Sequence, residues 1–223
     1  MSGLWPWLAL FGLGAYHGIN PGMGWLFAVA LGMQEKKRSA VLLALPPIAL
    51  GHALSIGVVV LLVALAQVTF KPLALRIAAA SVLFGFGLYR LVRYRHAKWV
   101  GMRVGFGDLT LWSFIMASAH GAGLMLVPIL LYSRHAESSA PAAYSHHAEH
   151  FDQIARGGAA FSTPAECVGA VGIHTLGHLL VAGVVAVLIY EKLGLGLLNK
   201  AWFNMDLMWL LALMASGVLV LVG

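Results

Sequence analysis

Five histidines lie within stretches that are otherwise apolar enough for the hydrocarbon core of a membrane: His17, His52, His120, His174 and His178. A single histidine in such a stretch often only donates a hydrogen bond between helices. Five together indicate more, because polar groups in hydrocarbon are costly and commonly mark the path of an ion or substrate. Imidazole binds nickel, cobalt, zinc and copper alike, so the five side chains are candidate ligands for a transition-metal ion.

The segment "HTLGH" gives the sharpest local pattern. His174 and His178 are four residues apart, so they share one face of a helix. This spacing allows two imidazoles to bind one ion, as in helical zinc sites. His174 and His178 are therefore predicted to contribute to the same metal site.

The segment "HGINPGMG" carries a histidine just before a helix break. Pro21 has no backbone N–H to offer the His17 carbonyl four residues earlier and clashes with it. That carbonyl and the Asn20 side chain could therefore face a polar ligand, which is tolerated at membrane depth where the site is buried or wet. Asn20 is an additional candidate ligand. Asp206, in the last apolar segment, is another, unless it forms a structural ion pair with Arg76.

The polar segment 134–164 is also rich in histidine. It contains "HHAEH", with His146, His147 and His150, among Ala, Ser, Gly and Pro residues that favour a loop. Clustered imidazoles can capture a transition metal weakly. A solvated loop without metal explains the same composition, and both interpretations stay open.

The elements that must position these side chains are predicted to be membrane helices. The 223 residues are 61% hydrophobic and 10% charged, with a mean hydropathy of +0.87. A membrane-spanning helix needs about 20 apolar residues, and six segments qualify: 4–33, 40–68, 72–92, 109–132, 167–190 and 197–222. We therefore expect an all-α polytopic membrane protein, a single integral membrane domain over 1–223 with the lipid bilayer as its partner.

Composition also excludes several classes. The net charge of +6 belongs to residues sorted into loops, so no nucleic-acid partner is expected. The single Cys167 excludes an internal disulfide or a two-cysteine redox relay. The first segment has no Lys or Arg before Lys36, which argues against a cleaved signal peptide. No enzymatic motif is predicted.

Two windows indicate an internal repeat. "LGHALSIGVVVLLV" from Leu50 and "LGHLLVAGVVAVLI" from Leu176 share eight of fourteen residues, and "AYHGINPG" around His17 resembles "SAHGAGLM" around His120. Three spans per copy make the second copy run through the membrane upside down. The prediction is two inverted three-helix repeats, 4–95 and 109–222, an arrangement typical of secondary transporters with a site near the bilayer midplane.

The distribution of basic residues predicts the orientation. On alternate sides of six spans, ten Lys and Arg residues fall on one side and three on the other, with Arg76 inside a span. The positive-inside rule then places the loops between spans 1 and 2, 3 and 4, and 5 and 6 in the cytoplasm. We expect a multi-pass protein of the cell inner membrane with both termini outside the cytoplasm.

The motif around His17 and the repeated "LGH" resemble the nickel/cobalt exporter (NicO) family and its relatives in the LysE superfamily of small six-helix exporters. His17, Pro21 and Gly22 match the His-Gly-x-x-Pro-Gly-like motif of that family, and His52 and His178 match its later Gly-His element. Met23 stands where the family motif commonly continues with another histidine. The resemblance implies an exporter of divalent metal ions.

The sequence therefore predicts a secondary transporter that exports divalent transition-metal ions through a histidine site, with the metal as substrate and no firm cofactor. The same fold could export a small organic solute such as a cationic amino acid. A haem-binding cytochrome is a third hypothesis, because the histidines could form two bis-histidine pairs. A homo-oligomer is also compatible with the sequence.

Overall fold

A computed structural model describes residues 4–92, 105–131, 163–193 and 210–221. Within these ranges all regular secondary structure is helical, so the all-α prediction is confirmed there. Eight helices are described: α1 Trp5–Ile19, α2 Trp25–Glu35, α3 Arg38–Thr69, α4 Pro72–Val92, α5 Phe106–Ala119, α6 Leu124–Leu131, α7 Pro164–Leu188 and α8 Leu210–Leu221. A π-helical turn, Ile189–Leu193, continues α7.

Two of these helices are long and apolar enough to cross a membrane. They are Arg38–Ala66, with a mean hydropathy of 2.5, and Pro164–Lys192, with 2.0. The pair α5 and α6, bent by 51°, is a third candidate if it counts as one span. Shorter apolar helices, Leu73–Tyr89 and Leu210–Leu221, lie in two further predicted spans. The described helices are thus those of a membrane-associated protein.

The outer surface is apolar. Leu43, Leu61 and Leu65 on α3 are 73%, 59% and 58% exposed, and Val184 on α7 is 60% exposed. The polar side chains that are fully buried include four histidines. A surface of large aliphatic side chains around a polar interior is the reverse of the pattern in soluble proteins, and it suits a lipid environment.

The first predicted span is broken into α1 and α2. Because Pro21 cannot continue the helical hydrogen bonding, Asn20 leaves the helix in an extended conformation, and the tight 3-10 turn Pro21–Met23 follows. Gly24 then adopts φ 115°, a left-handed conformation that suits glycine, and α2 begins. The His17 carbonyl is not left open at the break, because it accepts a hydrogen bond from the Asn20 amide at 3.2 Å.

A second break, at residues 120–123, separates α5 from α6, and the first turn of α6 is a 3-10 turn. The 3-10 turn Leu124–Leu126 lies 103 residues after Pro21–Met23, the same separation as between His17 and His120. This second turn contains no proline. Instead, Gly121 has φ 69°, which ends the helical path just after His120. Pro46 and Pro47 do not interrupt α3.

Helices α1 and α7 pack closely and run parallel. Residue numbers rise together along the contact: Gly14 lies against the His174 carbonyl, and Gly18 against the His178 carbonyl and Ala182. A Cβ atom on Gly18 would be 2.6 Å from the His178 carbonyl oxygen. Small residues four apart allow two membrane helices to approach this closely.

Helices α3 and α5 form a second parallel pair. Ser113 donates to the Ile48 carbonyl at 2.6 Å, and the Ser55 and Ser118 hydroxyl groups are 2.8 Å apart. The α1–α7 pair runs antiparallel to the α3–α5 pair, since Leu45 lies near Gly183 while His52 contacts His178. The histidine side chains are held where these two pairs meet.

Candidate functional site

Four of the five predicted histidines form one buried cluster at the junction of α1, α3 and α7. His17, His52, His174 and His178 each have 0% of their surface exposed. Ring centroids are 5.6 Å apart for His17 and His52, 4.9 Å for His17 and His174, and 5.5 Å for His52 and His174. We call these four residues the four-histidine cluster.

His52 and His178 stack face to face within the cluster. Their ring centroids are 4.0 Å apart and their planes differ by 10°. These two histidines occupy matching positions in the repeated "LGH" segments, 126 residues apart. The contact therefore joins matching residues of the two sequence windows.

Backbone carbonyls orient three of the histidine rings. His17 Nδ1 is 2.7 Å from the Leu13 carbonyl oxygen, and His120 Nδ1 is 2.8 Å from the Met116 carbonyl oxygen. A carbonyl only accepts, so Nδ1 carries the hydrogen, and in the neutral ring the lone pair lies on Nε2. Such a bond on the far nitrogen is how proteins commonly fix a metal-binding histidine.

His174 is oriented in the same way, but by another helix. Its Nδ1 lies 3.1 Å from the Leu10 carbonyl oxygen of α1. Leu10 and Ser113 are 103 residues apart, and Ile48 and His174 are 126 apart, so the same pair of positions is hydrogen-bonded in both halves, with the donor and acceptor exchanged: Ser113 donates to the Ile48 carbonyl. Sequence patterns could not reveal the Leu10 contact, because it depends on how α1 docks against α7.

The cluster contains ring nitrogens without hydrogen-bond partners in the described part of the chain. Both nitrogens of His52 and Nε2 of His174 are of this kind. A buried polar atom left unsatisfied costs about 1–3 kcal/mol. His178 lies near the backbone of Met23, at the end of the 3-10 turn. The interior therefore presents nitrogen lone pairs that something other than the described protein atoms could occupy.

His120 is buried, at 4% exposure, and lies within electrostatic reach of His17. It lies against the turn that follows α1: a Cβ atom on Gly22 would be 3.3 Å from His120 Cε1 and 3.4 Å from His120 Nε2. Asn20, 3% exposed, borders the same turn, and its Oδ1 accepts a hydrogen bond from the Gly22 amide at 2.9 Å. The fifth predicted histidine thus lies between the turn that follows α1 and the four-histidine cluster, through its interaction with His17.

The cluster is not arranged to hold a metal in its present form. Among the described residues, no set of three or more His, Cys, Asp or Glu side chains has the geometry of a metal site. The stacked rings explain this, because the imidazole planes of His52 and His178 face each other. Binding one ion with several of these nitrogens would require the rings to turn.

Carboxylates of the described residues lie at helix ends. Glu35 is exposed at the end of α2, Asp108 and Glu166 cap the starts of α5 and α7, and Glu191 pairs with Arg38 at 3.0 Å. Among the described residues, no carboxylate therefore belongs to the four-histidine cluster. Asp206 and the loop histidines His146, His147 and His150 lie outside the described residues.

The chain matches no protein-family model, no curated protein and no solved structure. The geometry of the site is therefore the basis for assigning a function.

Proposed function

We propose that the protein is a secondary transporter that exports divalent transition-metal ions through the four-histidine cluster. One observation carries the proposal: four imidazoles from three helices meet in a fully buried position. Such a concentration of ring nitrogens in an apolar protein has a cost that a ligand would offset. Imidazole nitrogens suit nickel, cobalt and zinc.

Binding in this proposal involves ring rotation. The Nδ1–H groups of His17 and His174 donate hydrogen bonds to backbone carbonyl groups. Their Nε2 atoms are therefore the nitrogens that bind the metal. His52 swings out of its stack with His178 to add a third or fourth nitrogen. Because imidazolium cannot bind metal, proton uptake by the emptied cluster would compete with the ion and provide a route for proton exchange.

The proposal includes the six-span inverted repeat and a site at the bilayer midplane. Three observations support it: the two 3-10 turns share the 103-residue offset, matching positions form hydrogen bonds, and two matching histidines stack. When two residues that a two-fold axis relates are in contact, the axis must pass between them. In this proposal the axis passes between His52 and His178. The antiparallel arrangement of the two helix pairs suits spans that alternate in direction.

Orientation follows from the positive-inside rule in this proposal. Lys36, Lys37 and Arg38 are exposed at the end of the molecule where Arg38 pairs with Glu191, and Lys192 is exposed beside it. We take this end to be cytoplasmic, in the inner membrane, with both termini on the opposite side. The motif resemblance to nickel/cobalt exporters supports outward transport.

The two alternative functions fit the geometry less well. A cationic amino acid needs carboxylates near its ammonium groups, and the described carboxylates lie at helix ends. A haem needs two axial histidines on opposite faces of a porphyrin, and a 4.0 Å stack leaves no room for a porphyrin between His52 and His178.

Metal binding by purified protein tests the proposal directly. Detergent-solubilised wild type should bind Co²⁺ tightly, and the double variant His174→Ala with His178→Ala should lose at least about tenfold in affinity, since two nitrogen donors are removed. A matched control is Ile173→Ala, next to the cluster but apolar. Equal Co²⁺ affinity in the wild type and the double variant would contradict the assignment.

A further inference from the structure

The four-histidine cluster is enclosed by protein. Its rings have 0% of their surface exposed, so an ion can reach them only if part of the protein moves aside. A transporter built on this cluster therefore needs an element that opens. Helix α2, which packs on one side of the cluster, has the features of such an element.

An apolar layer separates the cluster from the end of the molecule that we take to be cytoplasmic. It consists of buried side chains from three helices: Leu45 and Ile48 of α3, Ala182 and Ala186 of α7, and Trp25, Ala28 and Val29 of α2. The members from α3 and α7 lie within about two helical turns of His52 and His178. Helix α2 is thus one wall of the layer between the cluster and the cytoplasm.

Helix α2 lies between two residues with left-handed backbone conformation. Gly24, just before it, has φ 115°, and Lys36, just after it, has φ 53°. The other two helices of the layer continue through it without a break. Hinges are commonly a few residues at the ends of elements that absorb changes in φ and ψ, and glycine does so with little steric penalty. The short helix α2 can therefore change direction as a unit.

Different contacts hold the two ends of α2. At its start, Trp25 Nε1 donates to the Ile19 carbonyl at 3.1 Å, which ties α2 to the end of α1. Near its other end, Gly32 packs against Val41 of α3 and against the ring of Tyr190, where a Cβ atom would be 3.2 Å from Cδ2. The start is anchored to the preceding helix and the far end is held by packing alone, so the far end is the part that can swing.

We propose that α2 is the gate through which an ion enters the four-histidine cluster from the cytoplasm. The helix pivots at Gly24, and its far end moves away from Val41 and Tyr190 to open a path through the apolar layer. The inference deepens the proposed function and rests on it, because export begins with entry from this side. The structure shows the gate closed.

Thiol labelling tests the movement without depending on metal. In the full chain with Cys167→Ala, the variant Ile48→Cys places one thiol in the apolar layer, at a side chain that is 1% exposed. A membrane-impermeant maleimide added to inverted membrane vesicles should label this thiol slowly, as α2 opens. Tyr190→Ala removes the ring that packs on Gly32, so labelling should become at least about fivefold faster. Tyr89→Ala, at an exposed position on α4, is the matched control and should leave the rate unchanged.

A cross-link tests whether transport needs the movement. Gly32 and Val41 are in contact, so Gly32→Cys with Val41→Cys can join α2 to α3 by a disulfide when the protein is oxidised with diamide. Co²⁺ uptake into inverted vesicles should then fall at least about tenfold, and reduction should restore it. The control is Ser55→Cys with Ser118→Cys, whose hydroxyl groups are 2.8 Å apart in the wild type. This disulfide joins α3 to α5 instead, so uptake should continue.

The two experiments separate the gate from the proposed function. Unchanged labelling in Tyr190→Ala, or undiminished Co²⁺ uptake by the cross-linked protein, would overturn the gate and leave the proposed function intact. Absence of Co²⁺ uptake before cross-linking would overturn the proposed function, and the labelling rates would still decide whether α2 opens.

Discussion

The His52 side chain illustrates the free-energy penalty of burying polar groups in the cluster. Neither of its ring nitrogens has a partner among the described residues, and its surface is fully covered. An aliphatic side chain of similar size would avoid the penalty of burying unsatisfied polar atoms. In the proposed function, the metal ion bound by the cluster offsets this penalty.

Replacing His52 by leucine should separate stability from binding. We expect His52→Leu to have a melting temperature in detergent at least as high as that of the wild type, because two unpartnered nitrogens are removed. The rise in melting temperature on adding Co²⁺ should shrink, because a nitrogen donor is lost. Thermal unfolding with and without Co²⁺ measures both effects.

Ile56→Ala provides the control on the same helix. Ile56 is fully buried one turn after His52, and the cavity should cost about 2–5 kcal/mol. Its metal-dependent stabilisation should remain. A large loss of stability in His52→Leu, comparable to that in Ile56→Ala, would mean that the His52 ring is mainly a packing element.

Residue patterns anticipated part of the site. The spacing of His174 and His178 predicted a shared helix face, and both rings do meet in the cluster. His120, predicted for the same site, lies beside Gly22 in the turn that follows α1 and interacts with His17 through its charge. Sequence spacing describes positions along one helix, and it carries no information on how far α5 docks from α1.

At the scale of elements, the contact between α1 and α7 sets the position of His17. Gly14 and Gly18 bring α1 against the carbonyl groups of His174 and His178, and this close approach holds the His17 and His174 rings 4.9 Å apart. Side chains at these glycines would meet backbone atoms, which cannot move aside as a flexible side chain does.

Gly18→Leu should therefore force the two helices apart. A Cβ atom there would be 2.6 Å from the His178 carbonyl oxygen, and we expect a loss of at least about 1–3 kcal/mol in stability, with reduced Co²⁺ binding. Gly12→Leu lies on the same helix with nothing within 4 Å of its Cβ position, so it should behave like the wild type. Equal melting temperatures for the two variants would show that α1 and α7 tolerate separation.

The helix breaks were only partly predictable. Pro21 identified the first break, because a proline cannot donate to the carbonyl four residues earlier. The second break depends on the left-handed Gly121, and an isolated glycine in an apolar segment gives little warning of it. Pro46 and Pro47 leave α3 continuous, although the carbonyl groups of Leu42 and Leu43 lose their helical donors.

At the scale of the whole molecule, the two sequence halves are interlocked. Helix α1 of the first half packs against α7 of the second half. Helix α5 of the second half packs in the same way against α3 of the first half. Neither half could bury these faces alone. Hydropathy predicted the membrane helices, and the "LGH" windows indicated the repeat. Neither pattern could reveal that the closest helix pairs join one half of the chain to the other.

A divided chain tests this interlocking. Fragments 1–104 and 105–223, expressed together, should form a complex that a tag on one fragment recovers with the other. Each fragment expressed alone should be degraded, because its glycine-lined helix lacks a partner. Gly18→Leu in the first fragment should reduce recovery and Gly12→Leu should not. Stable accumulation of either fragment alone would contradict the interlocked arrangement.

The docking of α1 on α7 also has a consequence during synthesis. The Leu10 carbonyl and the His174 ring that it orients are 164 residues apart in the chain. At a synthesis rate of about 5–20 residues per second, α1 is made roughly 10–30 s before its partner emerges. During that interval α1, with His17, Gly14 and Gly18, has no α7 to pack against. The histidine cluster can therefore form only late in synthesis.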